Sequence, residues 1–306
     1  MVASNQNSLE PWIVATRPRT LALAVAGIAL GLFLAAADGE LNGWVASFTL
    51  LTAILLQILS NLANDYGDSL HGADSLTRAG PQRAVQSGKI TREAMRRAIG
   101  LVAGLAMVSG LALVWLAFGR AAIWLVLLFL VLGAAAVWAA IAYTASSRPY
   151  GYVGLGDLFV FIFFGWVSVL GSYFLQTHAL PWPVLLPATS VGLFSVAVLN
   201  VNNIRDMRSD REAGKYSVPV RLGPRRARLY HWALLLSGLL GALLYVLLTY
   251  HSPWQFLFLL SAPLLLRNGV LVWRGQSAAE LDPLLKQMSL TTLVFVISFG
   301  AGQILA

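Results

Sequence analysis

Long apolar segments alternate with short polar ones from one end of the chain to the other. An apolar run of about 20 residues is long enough for a helix to cross a bilayer, and nine segments approach or exceed that length. The nine predicted spans are residues 18–37, 44–66, 94–118, 121–144, 155–176, 183–203, 229–250, 254–272 and 285–305. This pattern predicts an all-α membrane protein with nine transmembrane helices in a bundle.

Composition supports the same class. Of the 306 residues, 58% are hydrophobic and only 11% are charged, and the mean hydropathy is +0.72, whereas charged residues make up about 25% of a typical soluble domain. No stretch between the spans is long enough for a soluble domain of useful size, so residues 1–306 are predicted to form a single integral membrane domain. The first residues lack the pattern of a cleavable signal peptide.

Basic residues fall almost entirely on one predicted side of the membrane. With nine spans the two termini lie on opposite sides, and every Lys and Arg except Arg120 then lies on the side of the amino terminus. Because cytoplasmic loops carry the excess of Lys and Arg, we expect the amino terminus in the cytoplasm and the carboxyl terminus outside, in a bacterial cytoplasmic (inner) membrane. The net charge of +8 is explained by this orientation, and no nucleic-acid partner is expected.

Cysteine and histidine usage excludes several kinds of site. The chain has no cysteine, which excludes disulfides, thiolate metal sites and a cysteine nucleophile. Its 4 histidines are scattered and form no ligand pair. Candidate chemistry therefore depends on carboxylates, amides and cations.

The first of two polar segments reads NLANDYGDSLHGADSLTRAGPQRAVQSGK and begins at Asn61. Asn61, Asn64 and Asp68 fall at helical spacing, and Asp65 lies beside them on the same face. Asp74 follows in a glycine-containing loop. Carboxylates beside a membrane are costly unless cations neutralise them, so this segment is a candidate functional site.

The second polar segment reads NVNNIRDMRSDREAGK and repeats the spacing of the first. Asn202, Asp206 and Asp210 lie four residues apart, which predicts one shared helical face. Both segments close an apolar span and lie on the same predicted side of the membrane. This repeated Asn-x-x-x-Asp pattern predicts two halves that face each other across a cavity.

Clustered carboxylates at a helix end attract hard cations, and Mg²⁺ typically uses one or two carboxylates together with substrate phosphates. Basic side chains nearby would balance the charge of an oxygen-rich anion such as a diphosphate. The candidate cations are Arg78, Arg83, Lys89, Arg148, Arg205 and Lys215. The same residues also fit solvated, salt-bridged helix ends. A cation-coupled membrane transporter is a further alternative, although transport carboxylates are expected near the bilayer midplane.

The segments NDYGDSLHGAD and DMRSDREAGK resemble the two aspartate-rich motifs of the UbiA superfamily of intramembrane prenyltransferases. The resemblance covers essentially the whole chain. The stretches RPRTLALAVAGI, QILSNLANDYGD, RAGPQRAVQSG, SRPYGYVGLGD and VLNVNNIRD are most similar to the members that prenylate 1,4-dihydroxy-2-naphthoate in menaquinone biosynthesis. The resemblance implies a nine-helix bundle around a central cavity that opens laterally to lipid.

The resemblance also implies a reaction, in which a polyprenyl diphosphate and 1,4-dihydroxy-2-naphthoate give demethylmenaquinone, diphosphate and CO₂ in an Mg²⁺-dependent transfer. Other aromatic acceptors remain open, including 4-hydroxybenzoate, a chlorophyll precursor and haem. By this resemblance, Mg²⁺ would be held by Asn64, Asp65, Asp68, Asp74, Asp206 and Asp210. The substrates would be bound by Asn64, Arg78, Arg83, Arg148, Asn202 and Lys215. Many relatives have a Lys three residues after the Tyr that corresponds to Tyr143, whereas in this chain Tyr143 is followed by Arg148. The spacing alone therefore does not establish a diphosphate-binding role for Arg148.

Four residues are predicted to be catalytic: Asp68, Asp206, Tyr143 and Asp157. Tyr143, with Tyr152, would shield an allylic cation at the polar edge of the cavity, or would belong to the interfacial aromatic belt. Asp157 would position the acceptor or act as a base, or would cap a helix. Arg17 would bind the carboxylate of the aromatic acid, or would only help to orient the first span in the membrane.

Overall fold

The structure is a computed structural model that describes residues 9–71, 83–119, 123–146 and 149–306, with only the backbone described at residues 19 and 71. All regular structure in these residues is helical. The α-helices are α1 (Glu10–Ala15), α2 (Pro18–Ala37), α3 (Gly43–His71), α4 (Arg92–Phe118), α5 (Ile123–Ala142), α6 (Gly156–Val160), α7 (Ser168–Thr177), α8 (Leu185–Arg205), α9 (Met207–Glu212), α10 (Val218–Leu222), α11 (Pro224–Leu248), α12 (Ala262–Arg274) and α13 (Ala278–Ile304).

The prediction of nine spans is confirmed. Within the described part of the chain, nine helical segments are long and apolar enough to cross a membrane. Three of them are composite, and the sixth (Trp182–Arg205) begins with a 3₁₀ segment, Trp182–Val184, that leads into α8. The fifth span (Gly156–Thr177) joins α6 to α7 through a π-helical segment, Phe161–Val167, and the eighth begins with a 3₁₀ segment, Pro253–Ser261.

The spans alternate in direction, so α3 and α8 end together at one end of the bundle, which we call the aspartate end. The helix α8 is the central element: 72% of an 18-residue apolar stretch of its span is buried, and it packs against α11, α13 and the fifth span. By contrast, only 11% of the corresponding stretch of α5 is buried. The first and second predicted spans contain α2 and most of α3, and α3 continues to His71, which places Asn64 and Asp68 on regular helix.

Small residues allow α2 and α7 to approach closely. Side chains built at Gly27 and Gly31 would collide with Ser168 and Ser172, and one at Gly31 would also collide with the Val169 carbonyl oxygen. Pairs of small residues four apart are a common way to bring transmembrane helices together. This packing fixes the fifth span against the first span.

The helices enclose a cavity of about 700 Å³. Its walls come mainly from α2, α3, α4, α5, the fifth span and α8, and most of the lining side chains are apolar. The helix α5 packs on α3 and α4, and cavity-lining residues on α5 and the fifth span, such as Leu128 and Trp166, remain exposed. The cavity therefore opens sideways between these two spans, on a face of the bundle that is apolar.

Candidate active site at the aspartate end

The polar end of the cavity brings the two aspartate-rich segments together. Asn64, Asp68 and Arg83 line it from the first segment, and Asn202 and Lys215 line it from the second. The two segments are about 140 residues apart in sequence, so their meeting is a property of the fold. The expectation that two halves face each other across a cavity is consistent with this arrangement.

Asp68 is buried, at 5% exposure, and is held from two directions. The Arg83 guanidinium forms an ion pair with Asp68 Oδ2, and the Tyr152 hydroxyl donates to Asp68 Oδ1 at 3.3 Å. Arg83 Nη1 also donates to the backbone oxygen of Asn64 at 2.7 Å. The Arg83 guanidinium therefore compensates the charge of the buried Asp68 carboxylate.

The side chain of Asn64 is oriented by Thr144, which the sequence patterns did not select. Thr144 Oγ1 donates to Asn64 Oδ1 at 3.0 Å, and Thr144 is only 2% exposed. A side chain at Gly67 would lie 2.5 Å from the Thr144 backbone carbon, so the chain after α5 runs directly against α3 at this point. Glycine at position 67 therefore allows the contact that orients Asn64.

Asp65 has a different environment from its neighbours. Its Oδ2 accepts a hydrogen bond from the Ala84 amide at 3.1 Å, and its Oδ1 accepts one from the Val85 amide at 3.2 Å. Asp65 is 2% exposed and is not among the residues that line the cavity. The Asp65 carboxylate therefore anchors the backbone that directly follows Arg83.

The second segment is helical as far as Glu212, except at Asp206. The helix α8 ends at Arg205 and α9 begins at Met207, so Asp206 interrupts the continuous helical face that the sequence predicts. The helical pattern of backbone hydrogen bonds nevertheless continues. The Asp206 amide donates to the Asn202 carbonyl oxygen at 3.0 Å, and the Asp210 amide donates to the Asp206 carbonyl oxygen at 2.8 Å. The three predicted residues thus remain on one side of the chain.

Arg205 links the second segment to the last helix. Its Nε and Nη2 atoms donate to the two carboxylate oxygens of Asp206 at 2.7 Å each, and Nη2 also donates to Asn202 Oδ1 at 2.9 Å. Its Nη1 donates to Asp282 Oδ1 on α13 at 2.6 Å. Arg205 is 9% exposed and Asp206 is 2% exposed, so this is a buried, bidentate ion pair.

Lys215 lies where the two segments meet. Burial of the Lys215 ammonium lowers its pKa, but the nearby Tyr143 oxygen and Asp210 carboxylate outweigh that effect. The carboxylates of Asp68 and Asp206 act in the same direction, and the pKa of Lys215 is raised above its ordinary value. Its Nζ lies 3.3 Å from Asp210 Oδ1. A fixed positive charge therefore faces carboxylates of both segments.

Tyr143 lines the cavity beside Lys215. Burial raises the pKa of the Tyr143 hydroxyl, and the Lys215 cation offsets only part of that increase. The hydroxyl is therefore protonated at neutral pH and can donate a hydrogen bond into the cavity.

Asp157 lies at the start of the fifth span and is 8% exposed. Its Oδ2 accepts a hydrogen bond from the Tyr230 hydroxyl of α11 at 3.1 Å. Asp157 does not itself line the cavity, although its neighbours Gly156 and Phe159 do. The N-cap residue of α6 is Leu155, and Asp157 lies in the first turn of that helix.

Three predicted site residues, Asp74, Arg78 and Arg148, lie outside the described residues. Three other residues were missed: Thr144, Tyr230 and Asp282. No local pattern distinguishes them, because each acts through a partner more than 70 residues away in sequence. Only the spatial packing of the helices identifies them.

The oxygen atoms at this end suit a hard cation shared with a phosphate ligand. Within the described ranges, no three carboxylate or imidazole groups converge closely enough to hold a metal ion alone. The carboxylates instead form two groups, around Asp68 and around Asp206 with Asp210. Asp68 lines the cavity, and the cavity-lining Lys215 lies near both groups. Mg²⁺ fits such an arrangement because it keeps water and phosphate ligands and needs only one or two carboxylates from each site.

Comparison with known proteins identifies the relatives of this chain. The sequence pattern of the family described as the UbiA prenyltransferase family matches residues 23–293. The 1,4-dihydroxy-2-naphthoate octaprenyltransferase of Escherichia coli K12 is 47% identical over 298 residues, which are 96% of this chain and 96% of that protein. The protein of the same name from Mycobacterium tuberculosis is 37% identical, over 96% of this chain and 97% of its own.

Solved structures show the same fold. A UbiA homolog from Aeropyrum pernix K1 superposes with a TM-score of 0.69 at 17% identity, covering 94% of this chain and 98% of that chain. A UbiA homolog from Archaeoglobus fulgidus bound to GPP and Mg²⁺ gives a TM-score of 0.65 at 15% identity, covering 97% of this chain and all of that chain. The expected helical bundle around a cavity is thereby confirmed.

Proposed function

The chain belongs to the UbiA prenyltransferase family, and from this membership we propose that it transfers a polyprenyl group to 1,4-dihydroxy-2-naphthoate. Full-length identity of 47% to a 1,4-dihydroxy-2-naphthoate octaprenyltransferase supports this acceptor. The observation that carries the chemistry is the position of Lys215, which lines the polar end of an apolar cavity together with Asp68 and lies close enough to Asp206 and Asp210 for their charges to act on it. A polyprenyl chain fits the apolar part, and its diphosphate fits the charged end.

The reaction breaks the bond between the allylic carbon and the diphosphate oxygen and forms a carbon–carbon bond at the ring carbon that carries the carboxyl group. A ring hydroxyl gives up its proton as the ring attacks. After this attack the ring is no longer aromatic. Loss of CO₂ followed by protonation restores its aromaticity. The products are diphosphate, CO₂ and demethylmenaquinone in its quinol form.

We infer that Asn64, Asp68, Asp206 and Asp210 hold Mg²⁺, with Asp74 as a further ligand from the loop. When bound, the ion neutralises charge that develops on the leaving diphosphate. Asp65 is a weaker candidate than its neighbours, because both of its oxygens already accept backbone amides. Arg205 occupies both oxygens of Asp206, and it can keep Asp282 as a partner while one of these oxygens turns to a metal ion.

Fixed cations of the chain stabilise the departing diphosphate. Arg83 and Lys215 both line the cavity, one from each segment, so both can bind phosphate oxygens there. In addition, Arg78 and Arg148 would add charge from the adjoining loops. The protonated Tyr143 hydroxyl donates to the diphosphate, and its ring shields the allylic carbon from water.

Asp157 is proposed to position the acceptor through its bond to Tyr230 rather than by direct contact, since it does not line the cavity. Two other functions are less well supported. A preference for 4-hydroxybenzoate would keep the same diphosphate chemistry but disagree with the naphthoate-using relatives. A cation-coupled transporter would need carboxylates near the bilayer midplane, whereas Asp68 and Asp206 lie at a helix end.

Carboxyl-labelled 1,4-dihydroxy-2-naphthoate tests the acceptor. We expect purified protein in detergent, given a polyprenyl diphosphate and Mg²⁺, to release the label as gas in step with lipid product. The product mass should be lower than that of the simple adduct by one CO₂. Label retained in the lipid product, or a clear preference for 4-hydroxybenzoate in competition, would contradict the proposed acceptor.

We also propose that the aspartate end faces the cytoplasm of a bacterial inner membrane, with the carboxyl terminus outside. The distribution of Lys and Arg supports this orientation. The chain lacks cysteine, so single cysteines placed at the exposed positions Glu212 and Gly39 report their sides directly. An impermeant thiol reagent applied to the outside of intact cells should label position 39 and spare position 212, and the reverse pattern would contradict the orientation.

A further inference from the structure

Two basic residues lie on the outer surface of the last two spans. Arg267 is on α12 and Lys286 is on α13, and both side chains are exposed. Arg267 lies about two turns before the end of α12, and Lys286 lies about two turns after the start of α13. Both helix ends are at the aspartate end of the bundle. Each cation therefore belongs to a membrane-spanning segment rather than to a loop.

A hydrogen bond between the next residues brings the two cations to the same level of the bundle. Asn268 Nδ2 donates to Gln287 Oε1 at 3.2 Å. Asn268 follows Arg267 in the sequence, and Gln287 follows Lys286. Because α12 and α13 run in opposite directions, this bond fixes the height of Arg267 relative to Lys286.

The side chain of Arg267 is turned away from α11. Asn268 Oδ1 lies 3.0 Å from His231 Nε2 of α11, so Asn268 points into the junction of the three helices. Gly269 faces Trp232 of α11. Residues on either side of Asn268 point in opposite directions around the helix, so Arg267 lies at the edge of α12 that borders α13.

Neither cation is neutralised by a described part of the chain. Within the described ranges, the side chains of Arg267 and Lys286 take part in no hydrogen bond or ion pair. The two carboxylates of α13 have other partners: Asp282 accepts from Arg205, and Glu280 accepts a backbone amide. An unpaired charge on a lipid-facing surface is costly unless it reaches the interface or meets an anion.

The level of the two cations corresponds to the lipid phosphates. The helix α13 has 27 residues and is about 40 Å long, whereas the hydrocarbon core of a bilayer is about 30 Å thick. About 5 Å of helix then extends beyond the core at each end, and the Lys286 backbone lies about 7 Å inside it. Long basic side chains extend over such a distance to the interface.

The surface around the two cations is apolar. Leu266 and Val270 of α12 are 41% and 37% exposed, and Leu290 of α13 is 47% exposed. Acyl chains pack against such side chains in a bilayer. This surface is separate from the lateral opening of the cavity, which lies between α5 and the fifth span.

We propose that Arg267 and Lys286 bind one anionic phospholipid from the leaflet at the aspartate end. Its phosphate lies between the two cations, and its acyl chains lie on the apolar surface of α12 and α13. Charge complementarity selects this occupant, because a phosphodiester supplies a negative charge and acceptor oxygens that match a guanidinium and an ammonium. A zwitterionic phospholipid carries its own cation, which offsets the attraction. The proposal makes no use of the acceptor or of catalysis.

Native mass spectrometry of the purified protein in detergent tests the site. We expect the wild-type protein to retain one phosphatidylglycerol more tightly than phosphatidylcholine. Arg267→Gln and Lys286→Gln should each weaken phosphatidylglycerol binding by about tenfold or more, the effect of a lost hydrogen bond to a charged partner. Equal binding of the two lipids by the wild-type protein, or unchanged phosphatidylglycerol binding in either variant, would overturn the proposal.

Matched controls come from the neighbouring helix. Arg225 and Arg226 are exposed cations in the first turn of α11, at the same end of the bundle. Diffuse attraction to an anionic lipid is weak for each cation, so Arg225→Gln and Arg226→Gln should lower the affinity by less than about fivefold. A loss as large as that of Arg267→Gln would show that general charge, and not a site, retains the lipid. Arg267→Lys keeps the charge and should recover part of the binding.

Thermal unfolding gives a second readout. A ligand that binds only the folded protein raises its Tm, so phosphatidylglycerol should raise the Tm of the wild-type protein and have little effect on Arg267→Gln and Lys286→Gln. Without added lipid, the Tm values of the three proteins should agree, because the two side chains have no partner among the described residues. A lower Tm of the lipid-free variants would indicate a structural role and would contradict the site.

Competition identifies the source of the phosphate. Glycerol 3-phosphate carries a phosphate without acyl chains, and a polyprenyl diphosphate carries an apolar chain and the charged group of the proposed substrate. Neither should displace the bound phosphatidylglycerol. Displacement by glycerol 3-phosphate would indicate a site for soluble phosphate, and displacement by the polyprenyl diphosphate would indicate a second substrate site. A dimer that Arg267→Gln dissociates would assign the surface to a second copy of the chain, and each of these results would overturn the proposal.

Discussion

Replacing Asp68 or Asp206 by asparagine is expected to lower kcat by about 100-fold to 1,000-fold or more, since each change removes charge stabilisation at the departing diphosphate. Both residues are buried, Asp68 in the wall of the cavity and Asp206 near the cavity-lining Lys215, and each belongs to a different half of the repeated pattern. If the two halves together hold a single diphosphate through Mg²⁺, neither Asp68 nor Asp206 can replace the other. Both variants should also need a higher Mg²⁺ concentration for their residual activity. Removal of Mg²⁺ by a chelator should abolish the activity of the wild-type protein, and added Mg²⁺ should restore it.

The control for this loss is Asp38→Asn, at the opposite end of α2. Asp38 Oδ2 accepts a hydrogen bond from the Tyr173 hydroxyl at 2.5 Å, far from the two segments. The same change in chemistry should therefore leave turnover nearly unchanged there. Near-normal activity of Asp68→Asn or Asp206→Asn at limiting Mg²⁺, in protein that is folded and extractable, would refute the paired site.

The nine spans could be predicted because hydrophobic length and the position of basic residues are local properties of the sequence. Their ends were less accurate: α11 begins at Pro224 rather than near residue 229, and α13 begins at Ala278 rather than near residue 285. The π-helical segment Phe161–Val167 was not predicted either. Its apolar residues fit a regular helix equally well, so only packing against α8 distinguishes the two.

The residues of the candidate site could be chosen from spacing, but their individual contacts could not. Helical periodicity places Asn64, Asp65 and Asp68 together without showing which side chain faces the cavity. The structure separates them: Asp68 lines the cavity, and Asp65 turns to the backbone of residues 84 and 85. Similarly, the sequence offers Arg205 as a diphosphate cation, whereas the fold pairs it with Asp206 and with Asp282, 77 residues away.

Asp65→Ala is expected to impair the protein through a different route from Asp68→Asn. Removal of the carboxylate leaves the buried amides of Ala84 and Val85 without their partner, and each unsatisfied group costs about 1–3 kcal/mol of folding free energy. Thermal unfolding should show this as a lower Tm. The loosened loop also displaces Arg83, so the KM for the polyprenyl diphosphate should rise while the acceptor KM changes little.

The dependence on Mg²⁺ decides between the two roles of Asp65. A loop anchor acts through the position of Arg83, so the Mg²⁺ concentration for half-maximal activity of Asp65→Ala should remain close to that of the wild-type protein. A metal ligand would shift that concentration upward, as we expect for Asp68→Asn. Asp65→Asn sharpens the comparison, because its amide keeps one acceptor oxygen for a backbone amide but loses the negative charge. A Tm between those of the wild type and Asp65→Ala, with unchanged Mg²⁺ dependence, would establish the anchoring role, and a shifted Mg²⁺ dependence would restore Asp65 to the metal site.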